Sequence, residues 1–448
     1  MNISRSTCLL LFIGWLPLLA VAASPPLTQA FTLDNGLKVV VREDHRSAAV
    51  TAQLWLKVGS SYETPGQSGL SHALEHMVYK GSSKACAGEF PAILEKLGAN
   101  ENAFTGKDYT VYYQTLAPGR LAVAFEIMAD LMSTARLREQ DFTTELEVIK
   151  QERRNSIDDH VSALSLERLE SLAYLSSAYR TPVIGWMHDL QRLEALQLQQ
   201  WYQAWYAPNN ATLVVVGNVT PDGVKALAQK YFDHLDRRTT PVAVVPVELS
   251  TPGERSLTLY APISAPQLIM SFNIPGLATA QERGTAHALR LLEILLAGSN
   301  SARIKQQLQF GEAIFSEVQS GYDAFTRGDS LLTISTQLNL DKVTSPDQAL
   351  ARLWQTIDEL KGKAPEKAEL DRAKTILIAN TVYAQDDLEG QASTLGLLES
   401  IGLDWQLADQ DTDELNKITP LDIQNAAITY LTRERMSIAR ILPEKNNG

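Results

Sequence analysis

The chain has 448 residues, which as a prior corresponds to roughly two to four domains, and 45% of them are hydrophobic while 21% are charged. These proportions exclude a disordered, collagen-like or coiled-coil protein. The 40 Lys and Arg residues against 52 Asp and Glu residues give a net charge of −12, which argues against general nucleic-acid binding. Its two cysteines, Cys8 and Cys86, exclude a disulfide scaffold and a four-cysteine zinc site.

Residues 1–23 have the pattern of a secretory signal peptide. Arg5 is followed by an apolar run from Cys8 to Val21 and by small residues up to Ala23. The run of about 14 residues is shorter than the roughly 20 that span a bilayer, although an uncleaved membrane anchor is the alternative. We therefore predict export, with the periplasm as the destination, and no membrane attachment after the signal is removed.

The first half of the mature chain alternates between predicted strands and helices. A hairpin is predicted over residues 31–41, because Asn35-Gly36 is a strong signal for a tight turn between strands. The other predicted strands are Ala49–Val58, Asp108–Leu116 and Thr212–Gly217. The predicted helices are Gly69–Lys80, Glu89–Leu97, Arg120–Arg136, Glu139 to about Tyr174, and Asp222–Phe232.

The order of elements restarts after a segment rich in proline. Predicted strands are Ser256–Tyr260, Gln267–Ile274, Ser316–Val318, Ser330–Gln337 and Met436–Leu442, and predicted helices are Thr285–Leu296, 346–361 and 366–384. Because Ala286–Leu289 repeats the pattern of Ser71–Leu74, we predict two homologous halves related by duplication. The predicted fold class is α+β, with a mixed or antiparallel sheet and helices on one face in each half, forming a clamshell subunit.

The predicted division of the chain follows these patterns. It comprises the signal peptide at 1–23, an N-terminal domain at 24–240, a linker at 241–255, and a homologous C-terminal domain at 256–448.

His72 and His76 are the most informative residues in the sequence. Four residues apart on a predicted helix, both imidazoles lie on one face and can bind one metal ion, as a zinc site requires. Glu75 lies on the same side, where it can take a proton from a water at the metal without being a ligand. The alternative is an ordinary helix with surface histidines, but this pattern arises by chance in roughly one such protein in a hundred.

A catalytic zinc ion usually has three protein ligands, so a third is needed. Glu145 and Glu152 are about two helical turns apart and therefore share one face of a predicted helix. One of them could bind the metal while the other supports a liganding histidine. The alternative is that this glutamate-rich helix simply presents a solvated face.

Four segments together resemble the pitrilysin or insulinase family of zinc metallopeptidases, the inverzincins, and within it a bacterial group similar to mitochondrial processing peptidases. They are Gly69–Gly81 with its inverted His-x-x-Glu-His motif, Leu97–Tyr113, Glu145–Glu152 and Trp205–Gly217. The likeness extends from about Phe31 to Pro443. It implies a zinc-dependent endopeptidase with one Zn²⁺ per chain that acts on peptides or unfolded protein segments, with its catalytic site in the N-terminal domain.

The resemblance also implies a role for each site residue. The zinc ligands would be His72, His76 and Glu152, and Glu75 would be the general base. Glu145 would hold a liganding histidine in place without binding the metal itself. An edge strand would hold the peptide by β-augmentation, and its residues would be Asn102, Ala103, Phe104 and Thr105. Phe104 lines a side-chain pocket or packs in the core, and the two interpretations are equally favoured.

The second half departs from the family pattern. Where related chains carry an Arg and a Tyr that contact substrate, this sequence has no Arg between Ile304 and Phe315, and Phe315 stands in place of the Tyr. His287 and Glu293 are badly spaced for a metal site and are expected to be core or surface residues. The resemblance therefore implies a heterodimer in which a zinc-less homologous subunit supplies the Arg and the Tyr. The alternative is a non-catalytic assembly or peptide-binding subunit.

Overall fold

The computed structural model describes residues 28–444, so the predicted signal peptide and Cys8 lie outside the described residues. Two mixed β-sheets, each with its own layer of helices, form the two halves of this range. None of the helices between residues 28 and 444 is long and apolar enough to cross a bilayer.

The first half is built on a six-stranded sheet with the order β1-β2-β6-β3-β5-β4. Its strands are β1 (Thr28–Thr32), β2 (Lys38–Glu43), β3 (Val50–Leu56), β4 (Asn100–Thr105), β5 (Thr110–Leu116) and β6 (Ala211–Gly217). Its helices are α1 (Leu70–Met77), α2 (Glu89–Lys96), α3 (Leu121–Thr134), α4 (Glu139–Arg153), α5 (Val161–Ala173), α6 (Met187–Leu190), α7 (Ala195–Trp205) and α8 (Pro221–Phe232). β2 and β6 are parallel, and the other neighbouring strands are antiparallel.

The second half is built on a five-stranded sheet with the order β7-β11-β8-β10-β9. Its strands are β7 (Arg255–Ala261), β8 (Gln267–Ile274), β9 (Phe315–Tyr322), β10 (Ser330–Leu338) and β11 (Met436–Pro443). Its helices are α9 (Arg283–Glu293), α10 (Pro346–Gly362), α11 (Lys367–Ala384), α12 (Leu388–Ser400), α13 (Leu407–Lys417) and α14 (Pro420–Tyr430). Apart from β1, both sheets have the same strand order and one parallel pair, so the predicted duplication and fold class are confirmed.

The predicted hairpin at Asn35-Gly36 is confirmed, and its turn also fastens the sheet to α8. Gly36 has φ +93°, which a residue with a side chain rarely adopts. The Asn35 amide donates to the carbonyls of Phe232 and Leu235 at 2.7 and 3.1 Å. The turn thus explains both residue types, because glycine can adopt the positive φ and asparagine donates hydrogen bonds to carbonyls at the end of α8.

The single helix predicted from Glu139 to about Tyr174 is wrong. It is two helices, α4 and α5, separated by a π-helical turn at Arg154–Asp158 and a break before Val161. Buried Arg153 explains the break, because its guanidinium binds Asp158 at 3.2 Å and Glu167 at 2.8 Å and so folds the chain back on itself. Helical periodicity alone does not report such a contact.

Each half places one helix on the other half's sheet. Leu169 of α5 packs with Ile269 and Ala439 of the second sheet. In return, α12 packs against β3 and β6, and Gly396 lies so close to Trp55 that an added Cβ would be 2.1 Å from the indole Nε1. The sequence patterns name no element between residues 384 and 436, where α12, α13 and α14 lie, and in α12 glycine and serine weaken the helix signal. The two halves therefore keep separate main cores and are joined by smaller hydrophobic clusters built from both.

No helix or strand lies between Phe232 and Arg255, where the linker is predicted. This segment touches both halves, since the Pro246 carbonyl accepts hydrogen bonds from the Ser177 hydroxyl at 3.1 Å and from the Asp329 N–H at 3.1 Å. The domain boundaries drawn from the sequence stay a prediction.

Candidate metal centre

The N-terminus of α1 determines where its histidines point. Gly69 has φ +92° immediately before the helix. The Glu63 carboxylate accepts the N–H groups of Gly69 and Ser71, both at 2.7 Å, and so caps donors that the helix leaves unpaired. Burial raises the pKa of Glu63 to about 8, although these two hydrogen bonds favour its ionised form. The helix therefore begins at Leu70 and presents His72 and His76 on one face.

The structure brings Glu152 to this pair of histidines. Glu152 Oε1 lies 3.7 Å from His72 Nε2, and its Oε2 lies 3.6 Å from His76 Nε2. One atom from each of the three side chains lies within 4.8 Å of the others, and no other group in residues 28–444 meets this criterion for a metal site. Two imidazole nitrogens and a carboxylate oxygen form the donor set of a catalytic zinc site with one open position, so the residues fit that ion.

Glu145 lies behind the histidines, on the face of α4 that it shares with Glu152. Its Oε1 is 3.0 Å from His76 Nδ1, and its Oε2 is 2.5 Å from Lys80 Nζ. Burial by itself would raise the pKa of Glu145, but the bonds from Lys80 and His76 outweigh it and lower this pKa. Sequence reasoning missed Lys80, although it follows His76 by one helical turn and therefore lies on the same face.

Glu75 lies beside the candidate ligands and contacts β4. The Thr105 hydroxyl donates to Glu75 Oε2 at 2.6 Å. Burial raises the pKa of Glu75, while the bond from Thr105 opposes this shift. Burial, followed by the charge of His76, lowers the pKa of His72 to about 4, so His72 is neutral at pH 7, as metal binding requires. The contact between Thr105 and Glu75 has no signal in the sequence.

The predicted peptide-binding strand lies at the edge of the first sheet. β4 pairs with β5 along one side, from Asn102 opposite Tyr113 to Thr105 opposite Thr110, and β4 is the last strand in the order. Within the part of the chain described here no strand lies on its other side, so this edge can accept an added strand, although the Ala103 N–H of β4 already donates to the Asn102 side-chain oxygen at 2.9 Å. The structure places Asn102, Ala103, Phe104 and Thr105 together on this strand.

Phe104 both packs and lines a cavity. Its ring makes edge contacts with Trp55 and Tyr109, with centroids 6.2 and 5.9 Å apart, yet 41% of the residue stays exposed. The cavity beside it has a volume of about 600 Å³. Its lining includes His72, Glu75, Phe104, Glu152, Leu166 and Ile184. The cavity therefore connects the candidate metal ligands with apolar side chains.

The residues of the second half that the sequence compares with this centre make contacts within that half. His287 is buried beside Arg290, with its Nδ1 3.1 Å from the guanidinium, and Arg290 binds Asp411. The Glu293 carboxylate accepts a hydrogen bond from the Ser320 hydroxyl. Phe315 is likewise buried in the core of the second half. His287 and Glu293 therefore both have side-chain partners within the second half.

The chain matches two models of one protein family. Residues 38–185 match the model described as "Insulinase (Peptidase family M16)", and residues 192–377 match the one described as "Peptidase M16 inactive domain". A relative named zinc protease PqqE, from Helicobacter pylori, is 27% identical over 377 residues, which are 83% of this chain and 82% of that protein.

A second relative and a solved structure agree with these matches. The mitochondrial-processing peptidase subunit beta of Lentinula edodes is 27% identical over 219 residues, or 49% of this chain and 47% of that protein. The crystal structure of a protease from Helicobacter pylori is similar in fold, with a TM-score of 0.85 and 23% identity over 94% of this chain and 100% of that one. Together with the strand order and the two family matches, these findings show that the chain belongs to the insulinase family of peptidases, peptidase family M16.

Proposed function

We propose that this chain is an exported, zinc-dependent endopeptidase that hydrolyses peptides or unfolded protein segments. The observation that carries the proposal is the convergence of His72, His76 and Glu152 within 4.8 Å, with Glu75 beside them. The domain at residues 24–240 would be catalytic, and the domain at 256–448 would not. Export to the periplasm is supported by the sequence pattern of residues 1–23.

The side chains of the centre have distinct tasks in this proposal. His72, His76 and Glu152 would hold zinc, which when bound polarises a carbonyl and lowers the pKa of water. Glu75 would take a proton from the attacking water as its oxygen bonds to the carbonyl carbon. Glu75 would then pass that proton to the amine nitrogen as the C–N bond breaks. The Thr105 hydroxyl would hold the Glu75 carboxylate in place.

β4 would bind the substrate. An extended peptide can add to its open edge through backbone hydrogen bonds, which tolerate many side chains, as an endopeptidase for unfolded segments requires. Ala103 and Phe104 lie beside Glu75 in the lining of the same cavity, so a peptide on β4 would pass the general base.

A partner subunit would complete the active enzyme. Because Phe315 stands in place of a Tyr and no Arg lies between Ile304 and Phe315, the second half lacks the Arg and Tyr pair that the family resemblance implies as oxyanion donors. We propose a heterodimer with a zinc-less homologous subunit that supplies them. The relative named as a subunit of a mitochondrial-processing peptidase supports this arrangement.

Metal analysis of the purified mature chain, paired with cleavage of an internally quenched peptide, tests the function. We expect one zinc ion per chain and weak cleavage that a chelator abolishes and added zinc restores. A zinc-less homologous subunit added to the assay should raise the rate. Absence of zinc, or cleavage that is indifferent to the chelator, would contradict the proposal and favour a non-catalytic assembly or peptide-binding subunit.

Glu145→Gln tests the support behind His76. The substitution keeps the shape but weakens the charged contact at 3.0 Å, so we expect zinc affinity to fall by about 10- to 100-fold. Competition with a chromophoric chelator measures the affinity. Glu147→Gln is the matched control, because Glu147 lies on the same helix but is exposed and bonds Lys150 instead. Equal zinc affinities in Glu145→Gln and Glu147→Gln would show that Glu145 does not support zinc binding.

A further inference from the structure

The second half contacts the turn that joins β4 to β5. Arg327 lies in the loop between β9 and β10, and its Nε is 3.3 Å from Asp108 Oδ1 in the first half. Its Nη2 donates to the Ser61 hydroxyl at 2.9 Å, and its Nη1 donates to the Val244 carbonyl at 2.8 Å. The Arg327 backbone N–H donates to Asp108 Oδ2 at 3.1 Å, and the guanidinium lies 4.0 Å from the centre of the Tyr62 ring.

Asp108 is the centre of this contact and is buried, with 3% of its surface exposed. It also accepts hydrogen bonds from the Ser61 hydroxyl at 2.9 Å and from the Tyr179 hydroxyl. Both carboxylate oxygens are therefore engaged, and Arg327 binds each of them. A buried carboxylate that loses its cationic partner keeps the cost of its desolvation, so this turn of the first half depends on a residue of the second half.

The turn that contains Asp108 is one restraint on the position of β4. Residues 106–109 connect β4 to β5. β4 has one neighbouring strand and also contacts α1 and α2, so this turn restrains the strand together with those contacts. At the end of β4, Thr105 donates to Glu75 at 2.6 Å, which links the turn to the candidate metal centre. A displacement of the turn would therefore move the strand and change this contact.

We propose that Arg327 is a positioning residue for peptide cleavage. By holding Asp108, it keeps the open edge of β4 in place for an extended peptide. The inference rests on the proposed function, because it treats β4 as the substrate-binding strand. It gives the second half a part in the reaction although that half has no metal motif.

Arg327→Met in the zinc-loaded full chain is the direct test. We expect KM for a peptide of about ten residues to rise about tenfold or more and kcat to fall by a smaller factor, because peptide pairing is weakened and the contact of Thr105 with Glu75 is disturbed while the metal ligands stay in place. Arg327→Lys keeps a positive charge beside Asp108, so its KM is expected to stay close to the wild-type value. Arg303→Met is the matched control, since Arg303 pairs with Glu369 at 2.7 Å within the second half and should leave KM unchanged.

A double variant separates positioning from stability. Arg327→Met leaves a buried charge unpaired, whereas Asp108→Asn combined with Arg327→Met removes that charge as well. If Arg327 positions β4, the unfolding midpoint of the double variant is closer to that of the wild type than the midpoint of Arg327→Met is. Its KM stays as high as that of Arg327→Met. Wild-type KM in both variants, measured well below their unfolding midpoints, would show a merely structural pair and overturn the proposal.

Amide hydrogen exchange tests the inference without activity. In Arg327→Met, the amides of residues 100–116 should lose protection relative to those of β2 and β6, which lie further along the sheet. Unchanged protection would overturn the role of Arg327. A wild-type chain that holds zinc but cleaves nothing, alone or with a homologous subunit, would instead contradict the proposed function, and the exchange result would still decide whether Arg327 holds the strand.

Discussion

Replacing Glu75 by Gln is expected to lower kcat by about 10²- to 10⁴-fold while the zinc content stays at one per chain. The amide has nearly the same shape and can still accept the Thr105 hydroxyl at its oxygen, but it cannot take a proton from water. The general base is therefore lost without damage to the ligands. Metal analysis and quenched-peptide kinetics on the same protein preparation measure both quantities.

Two further variants make this result specific. Glu152→Gln should lose zinc and activity together, because it weakens a candidate ligand rather than the base. Thr105→Val removes the hydroxyl but keeps Glu75, so zinc should be retained and kcat should fall less than in Glu75→Gln. Loss of zinc in Glu75→Gln would show that Glu75 is a ligand. Full activity in that variant would assign the base to another group.

Arg153→Met is expected to lower the free energy of unfolding by about 3–5 kcal/mol. Arg153 is 2% exposed and binds Glu167 through two bonds of 2.8 and 3.0 Å, with a third bond of 2.8 Å to the Gly185 carbonyl. Without the guanidinium, Glu167 stays buried as an unpaired carboxylate. Denaturant unfolding of the metal-free chain measures the loss, because bound zinc would add stability by mass action.

The double substitution Arg153→Met with Glu167→Leu is the control for this interpretation. It removes both charges, and an apolar pair of similar size often replaces a buried ion pair without loss, so most of the stability should return. A double variant as unstable as the single one would attribute the loss to packing rather than to the unpaired charge. Because Arg153 follows Glu152 at the end of α4, we also expect weaker zinc binding in the single variant.

The parts of this protein that follow from local patterns were predictable. The spacing of His72, Glu75 and His76 defines one helix face, and the interval from Glu145 to Glu152 defines another, because α-helical geometry repeats within a single element. The hairpin at Asn35-Gly36 and most of the strands in both halves follow in the same way from residue type and periodicity, whereas the order of the strands within each sheet does not. The sequence thus determined the two-half fold and the residue types of the candidate metal centre.

Tertiary packing determines which side chains of different helices and strands come into contact. The approach of Glu152 to the histidines depends on how α4 packs against α1, and the contact of Thr105 with Glu75 depends on β4 beside the same helix. The break at residues 154–160 and the placement of α5 and α12 on the opposite sheets have no periodic signal of their own. These contacts join residues far apart in the chain, and their free energy comes from burial and ion pairing that exist only once the elements are assembled.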